Sequence, residues 1–425
     1  MQIEELKVEG YRSLRSVTWR PGALNVLIGP NASGKSNLLE VLELLALLPT
    51  GKLSDHIMNL GGLSALLWDN QAPRLNIEWK TRPIEYTQPE SGIEEERRSE
   101  HQILIEPIGS GSDYLIRYES HRFFSSSNKG EKDLTATSAI KSLNLSRNLS
   151  SAFVTRDSQE QPTEDDHYRQ RVPERESILS VSDFPVLNTV EILADMWTNP
   201  ATGMSCIEPN TLLNWSVFRN FRTDSRSEIL KPVVVRYEKN LASGGSNLPV
   251  VLHTFCEHDK NFKEAIDGAM RAAFDEFDRL TFLPASTNRI ELGIQWKNAS
   301  RPHAASQLSD GTLRFLYLLT ILNNPTPPSV IAIDEPEVGL HPRMHAIIAE
   351  HAAQASERAQ VVLVTHSPEF LDAFREVDQV PTTTVFELKD GETHVRTIAG
   401  ETLAYWLQNY SQGELFRTGE LEDME

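Results

Sequence analysis

The 425-residue sequence predicts an α/β fold built on a parallel sheet, with its chemistry-bearing segments split between the two ends of the chain. Three observations carry this. Leu24, Val26 and Ile28 mark an apolar strand that runs straight into a glycine-rich turn and then a helix over 35–48. The last third alternates short apolar runs with amphipathic helices, as strands joined by crossover helices do. Between the ends, apolar periodicity fades over 125–176, where Ser, Asn, Asp, Glu, Arg and Gln dominate.

Each element follows from its local pattern. Ile3, Leu6 and Val8 read as a first strand, and Pro49 stops the helix that begins near Lys35. Segments 75–79, 103–108 and 114–118 read as strands of an antiparallel lobe, with Gly109-Ser110-Gly111-Ser112 as one turn. The charged run Glu94-Glu95-Glu96-Arg97-Arg98 reads as an exposed loop between them. Residues 125–176 read as a flexible insertion, with a mobile partner-binding arm as the alternative. The segment is too short and irregular for a long coiled coil. Helix returns over 178–197, Gly244-Gly245-Ser246-Asn247 makes a turn, and 248–277 is largely helical. Three regions result: 1–124, 125–205 as insertion and helical segment, and 206–425.

Composition narrows the classes. Apolar residues at 39% and charged residues at 24% are ordinary for a soluble globular chain. The longest apolar candidate, 38–49, is interrupted by Glu40 and Glu43, so no membrane span is expected. The N-terminus lacks the order of a signal peptide. Only Cys206 and Cys256 are present, which excludes a disulfide scaffold or cysteine metal site and fits a cytoplasmic location. A net charge of −19 argues against unselective nucleic-acid binding. One basic cluster remains, Arg219, Arg222, Arg226, Lys231, Arg236 and Lys239, which reads as a solvated face or, alternatively, a docking face.

Four motifs carry chemistry. Gly29-Pro30-Asn31-Ala32-Ser33-Gly34-Lys35-Ser36 lies after a strand and before a helix, where backbone N–H groups and the helix terminus converge on one anion. Lys35 supplies a positive charge for the β- and γ-phosphates, and Ser36 a hydroxyl ligand for Mg²⁺. A second motif, Val330-Ile331-Ala332-Ile333-Asp334-Glu335, is an apolar strand ending in two acids, at the sheet edge where α/β folds place ligands. Asp334 would hold Mg²⁺ through water beside Ser36, and Glu335 would polarise the attacking water as general base or orienter. The next strand, 361–364, delivers Thr365 and His366 to the same edge, with His366 as γ-phosphate sensor. Leu308-Ser309-Asp310-Gly311-Thr312 precedes an apolar helix, and alone it reads as an ordinary cap. Pro342 opens a further helix whose apolar stripe is Met344, Ile347, Ile348, Ala352 and Ala355.

In this order the four motifs resemble the ATPase heads of the ABC superfamily, specifically RecF, SMC and OLD-like proteins. Residues 29–36 followed by Asn37 look like Walker A, 330–335 like Walker B with a catalytic glutamate, and His366 like the switch histidine. Ser309, Asp310 and Gly311 look like the signature loop, in the form found in the predicted-ATPase branch that includes antiphage-defence ATPase subunits. Gly245-Ser246-Asn247-Leu248, the run from Glu335 to Pro342 and Gly413-Glu414-Leu415-Phe416 extend that likeness. His341 stands where the D-loop aspartate of transporter-type proteins would lie, no Q-loop glutamine is placed, and Tyr11 or Arg12 is the positional candidate to face adenine.

The resemblance implies a P-loop ABC-ATPase head, a mixed sheet flanked by helices with an antiparallel β lobe and a helical or insertion region. It implies ATP and Mg²⁺ as cofactors and a homodimer that sandwiches ATP, with Ser309 of one chain facing the Walker motifs of the other; a higher oligomer is left open. The expected role is a switch subunit of a prokaryotic defence or DNA-processing complex with a separately encoded nuclease or toxin. The short stretch after His366 is expected to hold no nuclease domain. The alternative is a RecF-like clamp that binds DNA directly. A small-molecule kinase would leave Ser309 and His366 idle, and a transporter ATPase would carry a different signature.

Overall fold

The computed structural model describes residues 2–50, 52–70, 72–87, 94–107, 114–127, 130–133, 143–145, 151–152, 179–180, 214–219, 221–223, 227–398 and 410–423. The antiparallel lobe comprises β1 (Ile3–Tyr11), β2 (Leu14–Trp19), β4 (Leu75–Thr81), β6 (Glu94–Pro107), β7 (Tyr114–Ser127) and β8 (Gly130–Asp133), in the order β2-β1-β4-β6-β7-β8. Strand β5 (Ile84–Thr87) adds to β6, and β9 (Leu143–Leu145) to β7; β10 (Ser151–Ala152) pairs with β11 (Leu179–Ser180). Two expectations change here. The charged run 94–98 is not a loop but the start of β6, because its backbone is paired on both sides, Arg97 with Ile84 and with Ser125. Side-chain charge disfavours strand only weakly once the ladder satisfies the main chain. Strand β7 also runs past residue 124 into the expected insertion. The turn at 109–112 and nearly all of the insertion and of the 178–197 helix lie outside the described residues.

The central sheet has the order β12 (Trp215–Phe218), β17 (Val330–Asp334), β18 (Gln360–Val364), β3 (Leu24–Ile28), β19 (Thr382–Lys389) and β20 (Glu392–Thr397). All neighbours are parallel except the β19–β20 hairpin. Alternation along each strand divides the core in two. Val26, Ile331, Ile333, Val361 and Leu363 face one cluster, and Leu27, Val330, Ala332, Val362 and Val364 face the other. The second cluster is closed by α1 (Lys35–Leu47), whose Leu38, Leu39, Leu42 and Leu45 are buried with the β lobe. Burial of each such leucine contributes roughly 2 kcal/mol. Gln360, fully buried, binds the Ile3 amide (2.8 Å) and the Ile3 carbonyl (2.9 Å), and so staples β1 to the central sheet.

The first cluster is roofed by helices. After α2 (Leu53–Asn59) and α3 (Leu63–Leu66) come α4 (Leu248–His258), α5 (Lys260–Ala273), α6 (Asp310–Leu322), α7 (Pro342–Ser356) and α8 (Pro368–Asp372). The stretch expected to be helical through 277 is two helices, after which Phe277 begins a strand. A hairpin of β14 (Phe277–Ser286) and β15 (Arg289–Trp296) carries β13 (Val233–Val234) and β16 (His303–Ala304) on β15. Two short helices, α9 (Gln412–Thr418) and α10 (Glu420–Asp423), end the described chain. Among the described residues no helix is long and apolar enough to cross a membrane. Burial pushes the Cys256 thiol up to about 12, which keeps it unreactive near neutrality.

Candidate nucleotide site

The parallel order sets the site. Strand β18 lies between β3 and β17, so the segments leaving all three converge at one sheet edge. From β3 the chain enters Gly29 at φ +137° and reaches Gly34, the α1 N-cap, at φ +104°. A Cβ at Gly29 would lie 2.1 Å from the Phe386 carbonyl oxygen, and one at Gly34 2.2 Å from Thr393 Oγ1. The β19–β20 hairpin therefore presses on the loop, and only glycine fits. Thr393 Oγ1 also donates to the Ser33 carbonyl at 2.9 Å.

Lys35 is almost fully buried. Its ammonium donates to the carbonyls of Gly29 (2.7 Å) and Pro30 (2.8 Å) and to Ser33 Oγ (3.2 Å), folding back on the loop it serves. Asn31, Ala32 and Ser36 are exposed at the loop's mouth, and Ala32 takes φ +64°. The Asn37 amide instead donates to Ser13 Oγ at 2.7 Å, a structural tie behind the loop. Tyr11 is fully buried with its hydroxyl on Glu40 at 2.9 Å, so its ring does not face an adenine. Arg12 pairs with Glu40 at 3.0 Å.

From β17 come Asp334, half-buried, and Glu335, exposed and held at φ +47°. Such a conformation costs a non-glycine residue roughly 1–2 kcal/mol. Two hydrogen bonds hold it: the Glu335 amide donates to the Val364 carbonyl (2.9 Å), and Arg314 donates to the Glu335 carbonyl (2.6 Å). Burial raises the Asp334 pKa, opposed by the Arg219 guanidinium. His366 follows β18, and its pKa is depressed, first by burial and then by the nearby Lys35 charge, with Glu335 and Asp334 opposing. Lys35, Asp334, Glu335 and His366 thus share one electrostatic environment.

Three residues of this site had no role assigned from sequence. Glu337 Oε1 accepts from Thr365 Oγ1 (2.6 Å) and from the His366 amide (3.3 Å), clamping the end of β18. Arg314, one turn into α6, ties the signature helix to the segment after β17. Arg219, expected on a solvated face, instead turns inward to Asp334 (3.3 Å), Glu40 (3.5 Å) and Glu43 (3.7 Å). The rest of that basic cluster is dispersed: Lys231 pairs with Glu228, Arg236 with Glu238, Arg222 is exposed, and Arg226 is outside the described residues. The run "EPEVGLHP" signalled Glu337; nothing local signalled Arg219.

Ser309 and Asp310 are exposed at the start of α6, where Ser309 Oγ accepts from the Thr312 amide at 3.2 Å. A Cβ at Gly311 would meet the Gly339 carbonyl at 2.6 Å, so this glycine lets the signature loop pack on the loop after β17. His341 caps α7, its Nδ1 accepting from the Arg343 amide at 3.2 Å, the local task an aspartate would perform. Gly413 donates from its amide to Asp372 Oδ1 at 2.8 Å, which closes the C-terminal motif on α8, just beyond His366.

A hydroxyl at Ser36 and a carboxylate at Asp334 are hard oxygen donors that suit Mg²⁺. Among the described residues no three His, Cys, Asp or Glu gather as metal ligands. A divalent ion held here would draw its remaining ligands from phosphate and water.

Residues 1–176 match the family described as AAA ATPase domain, and 227–372 that described as AAA domain, putative AbiEii toxin, Type IV TA system. The chain is similar to the DNA replication and repair protein RecF of Moorella thermoacetica, 47% identical over 49 residues. It is also 52% identical over 48 residues to RecF of Limosilactobacillus fermentum. Each aligned stretch spans 11% of this chain and 13% of the relative. Among solved structures, an Smc head bound to the C-winged helix domain of ScpA superposes with a TM-score of 0.49 at 13% identity, covering 95% of this chain and 100% of that one. The SMC head domain from Thermotoga maritima gives 0.39 at 11% identity, covering 94% and 100%.

Proposed function

We propose, from the premise that the chain belongs to the ABC-type RecF/SMC-like ATPase superfamily, that it is an ATP-hydrolysing switch whose sites are completed by a second copy of itself. The observation that carries this reading is the signature loop. Ser309 and Asp310 are exposed, and Ser309 Oγ bonds to Thr312 of its own helix, so the pair is presented outward.

Within one chain the placement of these side chains supports the following division of labour. Lys35 would exchange its loop carbonyls for phosphate oxygens, a charge-assisted gain. Ser36 and Asp334 would hold Mg²⁺, whose chemistry is to neutralise charge on the β- and γ-phosphates. Glu335, exposed beyond the strand, orients the attacking water or accepts its proton. His366 is neutral at pH 7, since its pKa is depressed, and donates one ring N–H toward the γ-phosphate. Ser309 of the second copy supplies a hydroxyl donor to the γ-phosphate from the opposite side. Hydrolysis then separates the copies, a change of shape that a partner can read.

The role that fits best is a switch subunit of a prokaryotic defence or DNA-processing complex with a separately encoded effector. Support comes from the family description over 227–372, which joins an AAA domain to a putative toxin. The second reading, a clamp that holds DNA directly, is favoured by the RecF stretches and opposed by the charge of −19. Glu335→Gln should trap an ATP-dependent dimer that light scattering resolves from the monomer found with ADP. A monomer under both nucleotides would remove the shared-site reading. DNA retention by the trapped form at low salt would favour the clamp.

A further inference from the structure

Arg219 lies one position beyond β12, the edge strand of the central sheet, and its guanidinium is shared among three acids from two elements. Its Nε donates to Asp334 Oδ2, the carboxylate assigned to the metal. Its Nη1 lies between Glu40 and Glu43 on α1, the helix that follows the phosphate loop. Only 18% of the Arg219 side chain is exposed. Its backbone is anchored too: the Arg219 amide donates to Ser243 Oγ at 3.3 Å, and that hydroxyl donates to the Val217 carbonyl at 2.7 Å. The arginine is thus built into place, with one acceptor in the metal site and two outside it.

We propose that Arg219 is a resident counter-cation of Asp334, which Mg²⁺ must displace and which then rests wholly on Glu40 and Glu43. The inference rests on the assignment of Asp334 as metal ligand made above. Two cations cannot share one half-buried carboxylate without repulsion, so the metal's gain at Asp334 is reduced by the loss of the guanidinium contact. Glu43 and Glu40 lower that loss by receiving the displaced charge. The arrangement makes the divalent ion bind weakly unless nucleotide phosphates add their own ligands. Arg219 is a positioning residue in this scheme, acting on the metal through Asp334.

The test reads metal affinity and not turnover. Mn²⁺, as a paramagnetic stand-in for Mg²⁺, is titrated into the full chain saturated with a non-hydrolysable ATP analogue, and free Mn²⁺ is followed by EPR. Arg219→Gln should tighten Mn²⁺ binding roughly three- to tenfold, the size expected when one partly exposed ion pair stops competing. Glu43→Gln, which removes a resting place, should weaken it about two- to threefold. Arg222→Gln, an exposed charge of the same sign three residues along the chain, serves as control and should leave binding unchanged. Thermal melts establish that each variant is folded. Equal shifts in Arg219→Gln and Arg222→Gln, or weaker binding in Arg219→Gln, would overturn the proposal. Should the wild-type chain bind no Mn²⁺ with the analogue, the metal-site assignment fails as well, an outcome distinct from failure of the arginine's role.

Discussion

Replacing Glu337 tests how the switch end of β18 is held. Glu337→Ala removes the acceptor of two hydrogen bonds, one from the fully buried Thr365 hydroxyl and one from the His366 amide. A buried donor left without a partner costs about 1–3 kcal/mol. Part of that is offset, because burial already raises the Glu337 pKa and its other oxygen, Oε2, is buried without a hydrogen-bond partner. The expected net loss is about 1–2 kcal/mol. Glu337→Gln keeps an acceptor at Oε1 and should lose less than about 1 kcal/mol. Urea unfolding followed by circular dichroism gives the stabilities, and steady-state ATP hydrolysis gives the catalytic effect. With His366 unclamped, the Ala variant should lose roughly tenfold in rate, about 1.4 kcal/mol, while the Gln variant stays near wild type. An Ala variant as stable and as active as wild type would refute the clamp. A Gln variant as damaged as Ala would show that charge, and not the acceptor, is what matters.

Two further outcomes follow from the site. Gly34→Ala should abolish nucleotide binding while leaving a folded chain, because its Cβ would sit 2.2 Å from Thr393 Oγ1 at φ +104°; trimming the clash with Thr393→Gly in the same chain should restore binding only in part, and full binding by the single variant would contradict the packing. Asp334 and Glu337 both have raised pKa values, so each favours the folded protein most at low pH, and that contribution is lost as pH rises through the raised value. Metal binding runs the other way, since it needs ionised Asp334. Activity should fall on the acid side at a pH above the ordinary aspartate value of 3.8, with no separate inflection at the ordinary histidine value of 6.5, because the His366 pKa is lowered. A rate–pH profile in which activity falls through 6.5 would contradict the neutral histidine.

Much of this architecture was legible because it is local. The phosphate loop needs its glycines in sequence, and both the acid pair after 330–334 and His366 after 360–364 sit at strand ends that apolar runs announce. The cap at Ser309 was read correctly from residue type alone. What was hidden depends on distance along the chain. Residues 94–98 look like a loop until their pairing with β5 and β7 is known, since a strand's ladder is made by partners elsewhere. Arg219 looked like one member of a basic cluster, and only the parallel pairing of β12 with β17 carries it to Asp334, 115 residues away. The contact of Thr393 with Gly34 likewise joins segments from opposite ends of the chain, with no signature in either.

The central claim is that one chain's Ser309 completes another chain's phosphate loop. The most direct measurement mixes two inactive variants. Ser309→Arg should bind ATP nearly as wild type, and lose only the helix cap, worth about 1 kcal/mol, yet fail to hydrolyse. Lys35→Ala should fail because the loop's ammonium is gone. In an equimolar mixture, heterodimers carry one site with both an intact Lys35 and a facing intact Ser309. The account predicts that hydrolysis, absent from each variant alone, returns on mixing to roughly a quarter of the wild-type rate, half the dimers being mixed with one of two sites competent. A mixture that stays inactive while light scattering and affinity capture show heterodimers would contradict it.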